Sequence, residues 1–169
     1  RMNFWVPLLS DLPDNVRLIF VSKYFAEEVM EDTGVNLLTS QYEIIHNPID
    51  TTMFNYLEKG SSQRKKILSI RPYASRKYAN DLTVKAILEL SKTNQFKEME
   101  FMLVGAGKLF DTTLEPLRGF ANVHIHEGFL THSEIAELHK DFGIFMTPTR
   151  MDSQGVSRDE AMSSGLVPI

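Results

Sequence analysis

Hydrophobic and polar positions fall into a regular rhythm from Ile67 onward. Ile67 to Ile70 is a short apolar run that reads as a buried strand. Behind it, Asn80 or Asp81 stands as a helix cap, followed by Leu82, Val84, Ala86, Ile87, Leu88 and Leu90 at helical spacing. Met99 to Val104 reads as a strand running into Gly105-Ala106-Gly107. Lys108 to Leu114 reads as a short helix stopped near Pro116, and Val123 to His126 as a strand ending at Gly128. Thr131 and Glu134 form a capping-box pattern ahead of Ile135, Ala136 and Leu138. Ile144 to Thr147 is a further strand, Ser157 to Ser164 a helix, and Leu166 opens another apolar run. Strands alternating with helices over about 100 residues predict an α/β fold with a doubly wound parallel sheet covered on both faces. Such sheets bind ligands beyond the carboxyl ends of their strands, at the topological switch point. The loops there follow Ile70, Val104, His126 and Pro148.

The earlier part is less regular. Residues 1–15 hold Pro7 and Pro13 and are expected to be irregular, with a turn over Asp11 to Asp14. Val16 to Ser22 and Tyr42 to His46 read as strands, with Phe25, Val29 and Met30 on a helix between them that stops at Gly34. These elements are too few to cover both faces of their strands, so they look like the end of a preceding domain. Glu58 to Lys66, with Gly60-Ser61-Ser62 at its centre, reads as a linker or equally as a surface loop. The expected division is 1–57 and 58–169, the second domain incomplete at its C-terminus. Both ends, Arg1 and Ile169, look cut.

Composition narrows the chemistry. The 169 residues are 43% hydrophobic and 24% charged, an ordinary globular balance. A net charge of −4 gives no reason to expect a nucleic-acid partner. The absence of cysteine excludes disulfides and thiolate chemistry, and fits a reducing, cytoplasmic setting. No apolar run approaches the roughly 18 residues of a membrane helix.

The stretch Pro148 to Ile169 carries the strongest functional signal. It runs from strand through a turn with Gly155 into the helix, and unpaired N–H groups at a helix start attract phosphate. Asp152 and Glu160 frame that start with seven residues between them. Carboxylates there would repel phosphate but would accept hydrogen bonds from hydroxyls, so the ligand is expected to be part phosphate and part polyol. The loop after Ile70 supplies Arg71, Arg76 and Lys77, suited to binding the phosphate. Gly105-Ala106-Gly107 lacks the further residues of a phosphate loop and reads as a tight turn. Phe129 either walls a flat ring or packs in the core. Among five histidines none has acids at metal-ligand spacing, so no metal is expected.

Taken together, these residues resemble the donor-binding half of the retaining GT-B glycosyltransferases of family 4, the glycosyl transferases group 1. The family's acid, seven residues, Glu motif looks like Asp152 to Glu160 followed by Ala161-Met162-Ser163-Ser164-Gly165-Leu166-Val167-Pro168. Its basic loop looks like Arg71 to Lys77, its Val-Gly-x-Gly turn like Val104 to Gly107, and its Phe-x-Gly-x-Val segment like Ile125 to Leu130. Val21 to Lys23 and Ile45 to Phe54 are similar to the end of the acceptor domain and the hinge. Asp152 stands where the family has Glu, and Ile70 and Tyr78 stand where it has glycine.

The resemblance implies a truncated Rossmann-like domain of a GT-B enzyme. It would transfer a sugar from a nucleotide-diphosphate sugar to an acceptor hydroxyl, with retention. Arg71 and Lys77 would hold and stabilise the leaving diphosphate, and Asp152 would bind donor-sugar hydroxyls. Gly155, Val156 and Ser157 would meet the phosphate or sugar through their backbone, Glu160 would bind the ribose, and Leu130 and Val156 would lie near the base. No cofactor or metal is implied. The partners would be the sugar nucleotide, an acceptor saccharide or lipid-linked glycan, and the missing acceptor domain. Polysaccharide biosynthesis in the cytoplasm, at the inner membrane face, is the setting the family suggests. The fragment alone would lack turnover. A sugar-nucleotide epimerase of the same fold and a non-catalytic nucleotide-binding module are the rival readings.

Overall fold

The computed structural model describes residues 2–169, and the side chains of residues 4–169. The chain divides into two compact units, Arg1–Pro48 with Ser153–Gly155, and Ile49–Asp152 with Val156–Ile169. Residues 49–57, expected with the first domain, group with the second unit, where Phe54 is buried. The stretch expected to be a linker is a loop of that unit, ending in a single 3-10 turn over Gln63–Lys65. Gln63 Nε2 there donates to the Lys140 carbonyl at 2.5 Å.

The first unit opens with α1, Met2–Ser10, where an irregular segment was expected. Pro7 lies inside it as the sixth of its nine residues, past the first turn, where proline removes a helix hydrogen bond. The turn that follows spans Pro13 to Val16 rather than Asp11 to Asp14, closed by Val16 N–H donating to the Pro13 carbonyl at 2.9 Å. Strands β1 (Leu18–Phe20) and β2 (Tyr42–Ile44) pair in parallel, joined through α2, Lys23–Thr33. Ser22 caps α2 by accepting from Phe25 N–H at 3.1 Å, and Gly34 ends it at φ 68°. That left-handed conformation suits glycine. Ser153 and Gln154 are tied into this unit. Ser22 Oγ donates to the Ser153 carbonyl at 2.6 Å, and Asn47 N–H donates to Gln154 Oε1 at 2.7 Å.

The second unit is the doubly wound sheet the sequence predicts. Its strands are β3 (Lys66–Ile70), β4 (Glu100–Gly105), β5 (Val123–Glu127), β6 (Ile144–Phe145) and β7 (Val167–Pro168). They are all parallel, in the order β5-β4-β3-β6-β7. Strands carry side chains to alternate faces, and here both faces are apolar. Ile67, Phe101, Leu103 and Val123 pack into one core with α3 (Asn80–Leu90) and α4 (Phe110–Leu114). Leu68 and Phe145 pack into the other, with Ala161 and Leu166 and with Leu138 against it. Leu138 lies on α5 (His132–Asp141) and Ala161 on α6 (Val156–Ser163). The capping box of α5 is formed: Thr131 Oγ1 accepts from Glu134 N–H, and Glu134 accepts from Thr131 N–H. Sequence order reverses between β3 and β6, which places the switch point at the loops after these two strands.

Candidate functional site

The loop leaving β3 is fixed from several sides within the second unit. Arg71 N–H donates to the Val104 carbonyl at 3.0 Å, and Tyr73 N–H to the Ala106 carbonyl at 2.9 Å. Tyr73 is buried and meets the Phe110 ring edge-on at 4.9 Å. A side chain at Gly105 would collide with the Arg71 carbonyl oxygen and stand 2.9 Å from the Tyr73 ring. The Gly105-Ala106-Gly107 turn is therefore accounted for by close backbone packing against this loop. Asn80, expected as a helix cap, instead donates from Nδ2 to the Pro72 carbonyl at 2.9 Å. The residue before α3 is Ala79, in the left-handed region at φ 52° and without a capping side chain. A non-glycine residue there stores backbone strain, a feature that clusters at functional sites.

The basic loop closes in a single 3-10 turn, Arg76–Tyr78. The segment after β6 lies alongside it. Arg150 N–H donates to the Lys77 carbonyl at 2.9 Å, and Arg150 Nη1 to the Arg76 carbonyl at 2.8 Å. The same guanidinium grips Asp81 through both oxygens at 2.7 Å. This pairing holds the Asp81 carboxyl below its usual range. Neither Arg150 nor Asp81 was marked as functional in the sequence, because their partnership spans 69 residues.

Arg71 is 6% exposed, and its Nε has no hydrogen-bond partner. Nη2 donates to the Pro148 carbonyl at a long 3.4 Å. Its guanidinium lies 5.3 Å from the centre of the Tyr78 ring. Burial pulls the Arg71 pKa down, while the charge of Asp152 pushes it back up. Guanidinium does not lose its proton in proteins, so this is a buried cation. Lys77 is exposed, with Nζ 4.8 Å from the same ring centre. Among the described residues, neither Arg71 nor Lys77 forms an ion pair with a carboxylate.

Glu160 lies on α6 and is 8% exposed. Burial raises its pKa; His132, with Nε2 4.0 Å from Oε1, opposes the rise, and Asp159 adds to it. The far end of α6 is pinned: Ser163 Oγ donates to the Phe54 carbonyl at 2.6 Å, and Ser164 Oγ meets His139 Nδ1 at 3.0 Å. His139 is buried between Phe54 and Phe145, with Nε2 unpartnered. Burial, reinforced by Lys59, pushes its pKa down to about 4.

The other sequence candidates distribute as follows. Asp152 is half-buried and acts on Arg71 through charge. Val156 and Ser157 form the first turn of α6, while Gly155 groups with the first unit. Leu130 lines a groove of about 490 Å³ with Met102, Val104, His126 and Leu138; Arg71, Lys77, Asp152 and Glu160 are not among its walls. Phe129 is 83% exposed, which rules out the core-packing alternative. Among the described residues no group of three or more His, Cys, Asp or Glu is arranged to hold a metal. No described helix is long and apolar enough to cross a membrane.

No protein-family profile matches the chain, and no curated protein matches it. Solved structures do. A mutant form of S. aureus TarM, in complex with fondaparinux, α-GlcNAc-glycerol and UDP, superposes with a TM-score of 0.72 at 18% identity. That match covers 98% of this chain and 31% of TarM. Sucrose-phosphate synthase from Thermosynechococcus elongatus gives 0.72 at 14% identity, over 99% of this chain and 42% of that one. WaaG, a glycosyltransferase involved in lipopolysaccharide biosynthesis, gives 0.66 at 16% identity, over 90% and 43%. The chain thus spans less than half of each. At such identities the likeness is one of fold, and the fold is the α/β, Rossmann-like architecture of GT-B glycosyltransferases.

Proposed function

We propose that this chain carries the donor site of a glycosyltransferase that takes a sugar from a nucleotide-diphosphate sugar and passes it to an acceptor hydroxyl. The observation that carries the proposal is Arg71: a buried guanidinium, without a carboxylate on it and with Nε unpartnered, at the carboxyl end of β3 beside the switch point. A buried cation is costly unless something pairs with it, and a diphosphate is a fitting partner.

In this reading the bond between the sugar's anomeric carbon and the diphosphate oxygen breaks, and charge builds on the leaving phosphate. Arg71, Lys77 and the N-terminus of α6 meet that charge, the type of preorganised electrostatic stabilisation that lowers a barrier most. Asp152 accepts hydrogen bonds from donor-sugar hydroxyls, and Glu160 from the ribose. The backbone of Gly155 to Ser157 meets phosphate or sugar, and Leu130 and Val156 lie toward the base. The resemblance to family 4 supports retention, a metal-free donor site and an acceptor that is a saccharide or lipid-linked glycan, in cytoplasmic polysaccharide assembly. Its hexosyl character and the need for an acceptor domain rest on the same resemblance. No observation favours the epimerase or the non-catalytic module.

Calorimetric titration of UDP, GDP and ADP onto the chain tests this reading. One of them is expected to bind, and Arg71→Ala to weaken it about 10- to 100-fold, the worth of a hydrogen bond to a charged group. Failure of all three to bind, or binding indifferent to Arg71→Ala, would overturn it.

A further inference from the structure

We propose that Tyr78 is a positioning residue that holds Arg71 and Lys77 together over one aromatic ring, keeping both cations ordered and un-neutralised for an incoming diphosphate. The inference rests on the donor-site reading above and goes beyond it in assigning the residue that organises the site. Arg71 lies 5.3 Å and Lys77 4.8 Å from the ring centre, both within the roughly 6 Å over which a cation is drawn to an aromatic face.

Two cations drawn to one ring repel each other, so something must offset the repulsion before the ligand arrives. The structure shows two ways of ordering a cation at this loop. Arg150 is held by Asp81 through two short hydrogen bonds, which orders it but neutralises its charge. Arg71 and Lys77 have the ring in place of a carboxylate. An aromatic face attracts a cation through its quadrupole without adding a negative charge, so it does not compete with phosphate. The ring is itself restrained. Tyr78 is half-buried, it ends the 3-10 turn Arg76–Tyr78, and the preceding carbonyls of Arg76 and Lys77 are both gripped by Arg150. The next residue, Ala79, sits at φ 52°.

The test compares the full chain with Tyr78→Phe and Tyr78→Leu. Each is titrated with UDP, ADP and GDP, with the matching monophosphates, and with inorganic pyrophosphate. Tyr78→Phe keeps the ring and is expected to bind diphosphate within about twofold of the unmodified chain. Tyr78→Leu is expected to lose about five- to tenfold in diphosphate and pyrophosphate affinity, with a smaller loss for the monophosphate. The ratio of diphosphate to monophosphate affinity should therefore shrink. A merely structural role would lower both together and leave that ratio alone. Tyr78→Leu binding like the unmodified chain, an unchanged ratio, or Tyr78→Phe failing as badly as Tyr78→Leu would each overturn the assignment. Where Arg71→Ala loses diphosphate but Tyr78→Leu does not, only this inference falls. Where the unmodified chain binds none of the three nucleotides, the donor-site reading falls and takes it along.

Discussion

Arg71 and Glu160 are the two buried charges of the candidate site, and they are kept buried in different ways. Arg71, 6% exposed, lies against the Tyr78 ring and feels the charge of Asp152. Glu160, 8% exposed, faces one exposed histidine 4.0 Å away. Burial disfavours the charged form of each, pulling the first pKa down and the second up. The consequences differ because the starting values differ. Arg71 stays charged at any accessible pH, whereas Glu160 moves toward neutrality from a starting value of 4.5. The cationic end is therefore a permanent anion site, and the carboxylate end is a titratable one. That fits a ligand with a fixed diphosphate at one end and neutral hydroxyls at the other.

The largest expected effect comes from removing the permanent end. In an active transferase containing this chain, Arg71→Ala combined with Lys77→Ala should lower kcat at least about 100-fold while moving KM far less. Each lost charge-assisted bond is worth about 1.5–3 kcal/mol, and leaving-group charge peaks in the transition state. Steady-state kinetics separate the two parameters. A change confined to KM would mean that the cations bind the donor without assisting departure.

At the titratable end, Glu160→Ala should weaken nucleotide binding by about 1.5–3 kcal/mol, read by calorimetry. Unchanged affinity would remove the ribose role. The pH dependence sharpens the contrast. Because burial raises the Glu160 pKa, its contribution to binding should fade as pH drops at a higher pH than for an ordinary carboxylate, while that of Arg71 persists. The sign for stability is opposite. A raised carboxyl pKa favours the folded state below 4.5 and costs stability once pH rises through the folded value. Glu160→Gln should therefore raise the melting temperature of the ligand-free chain at pH 7 even as it weakens nucleotide binding.

A third prediction concerns the anchor behind Glu160. His139 packs against the end of α6 through Ser164, and its pKa is lowered from 6.5 to about 4. Between these values the unfolded chain takes up the proton first, so stability should fall as pH drops from about 6.5 toward 4 and be unaffected above it. The loss is about 2–3 kcal/mol from this group. Urea unfolding at pH 7, 5.5 and 4.5 measures it, and His139→Phe should flatten the slope. An equal slope in that variant would assign the acid sensitivity elsewhere.

What the sequence disclosed and what it withheld follow a physical line. Strands β3 and β4 were legible because they put apolar residues into both cores, β5 because Val123 and Ile125 put one apolar face into the first core, and α5 because its capping box is local. Arg71, Lys77 and Asp152 drew notice because loops at strand ends carry them, and Glu160 because of its spacing from Asp152. Helix α1 was missed because Pro7 inside it argues for irregularity, and Ala79 because nothing local announces a left-handed alanine. Phe129 gave no sign of being exposed. The roles of Tyr78, His132 and Arg150 depend on side chains meeting in space. Arg150 finds Asp81 across 69 residues, and His132 finds Glu160 across a helix-to-helix gap that no spacing rule encodes.

The smallest expected effect tests whether the cationic end is ordered by its surroundings. Arg150→Ala removes both bonds to Asp81 and the side-chain bond to the Arg76 carbonyl, while leaving its backbone bond to Lys77 in place. An exposed ion pair contributes at most about 1 kcal/mol to stability, so the fold should survive. The basic loop should become more mobile, and diphosphate affinity should fall about three- to fivefold without a change in the pH dependence that Glu160 imposes. Asp81→Asn should do the same, since it frees the same guanidinium. If Asp81→Asn instead strengthened diphosphate binding, Arg150 would be a latent third phosphate ligand held in reserve by Asp81. The cationic end would then owe its preorganisation to the Tyr78 ring alone.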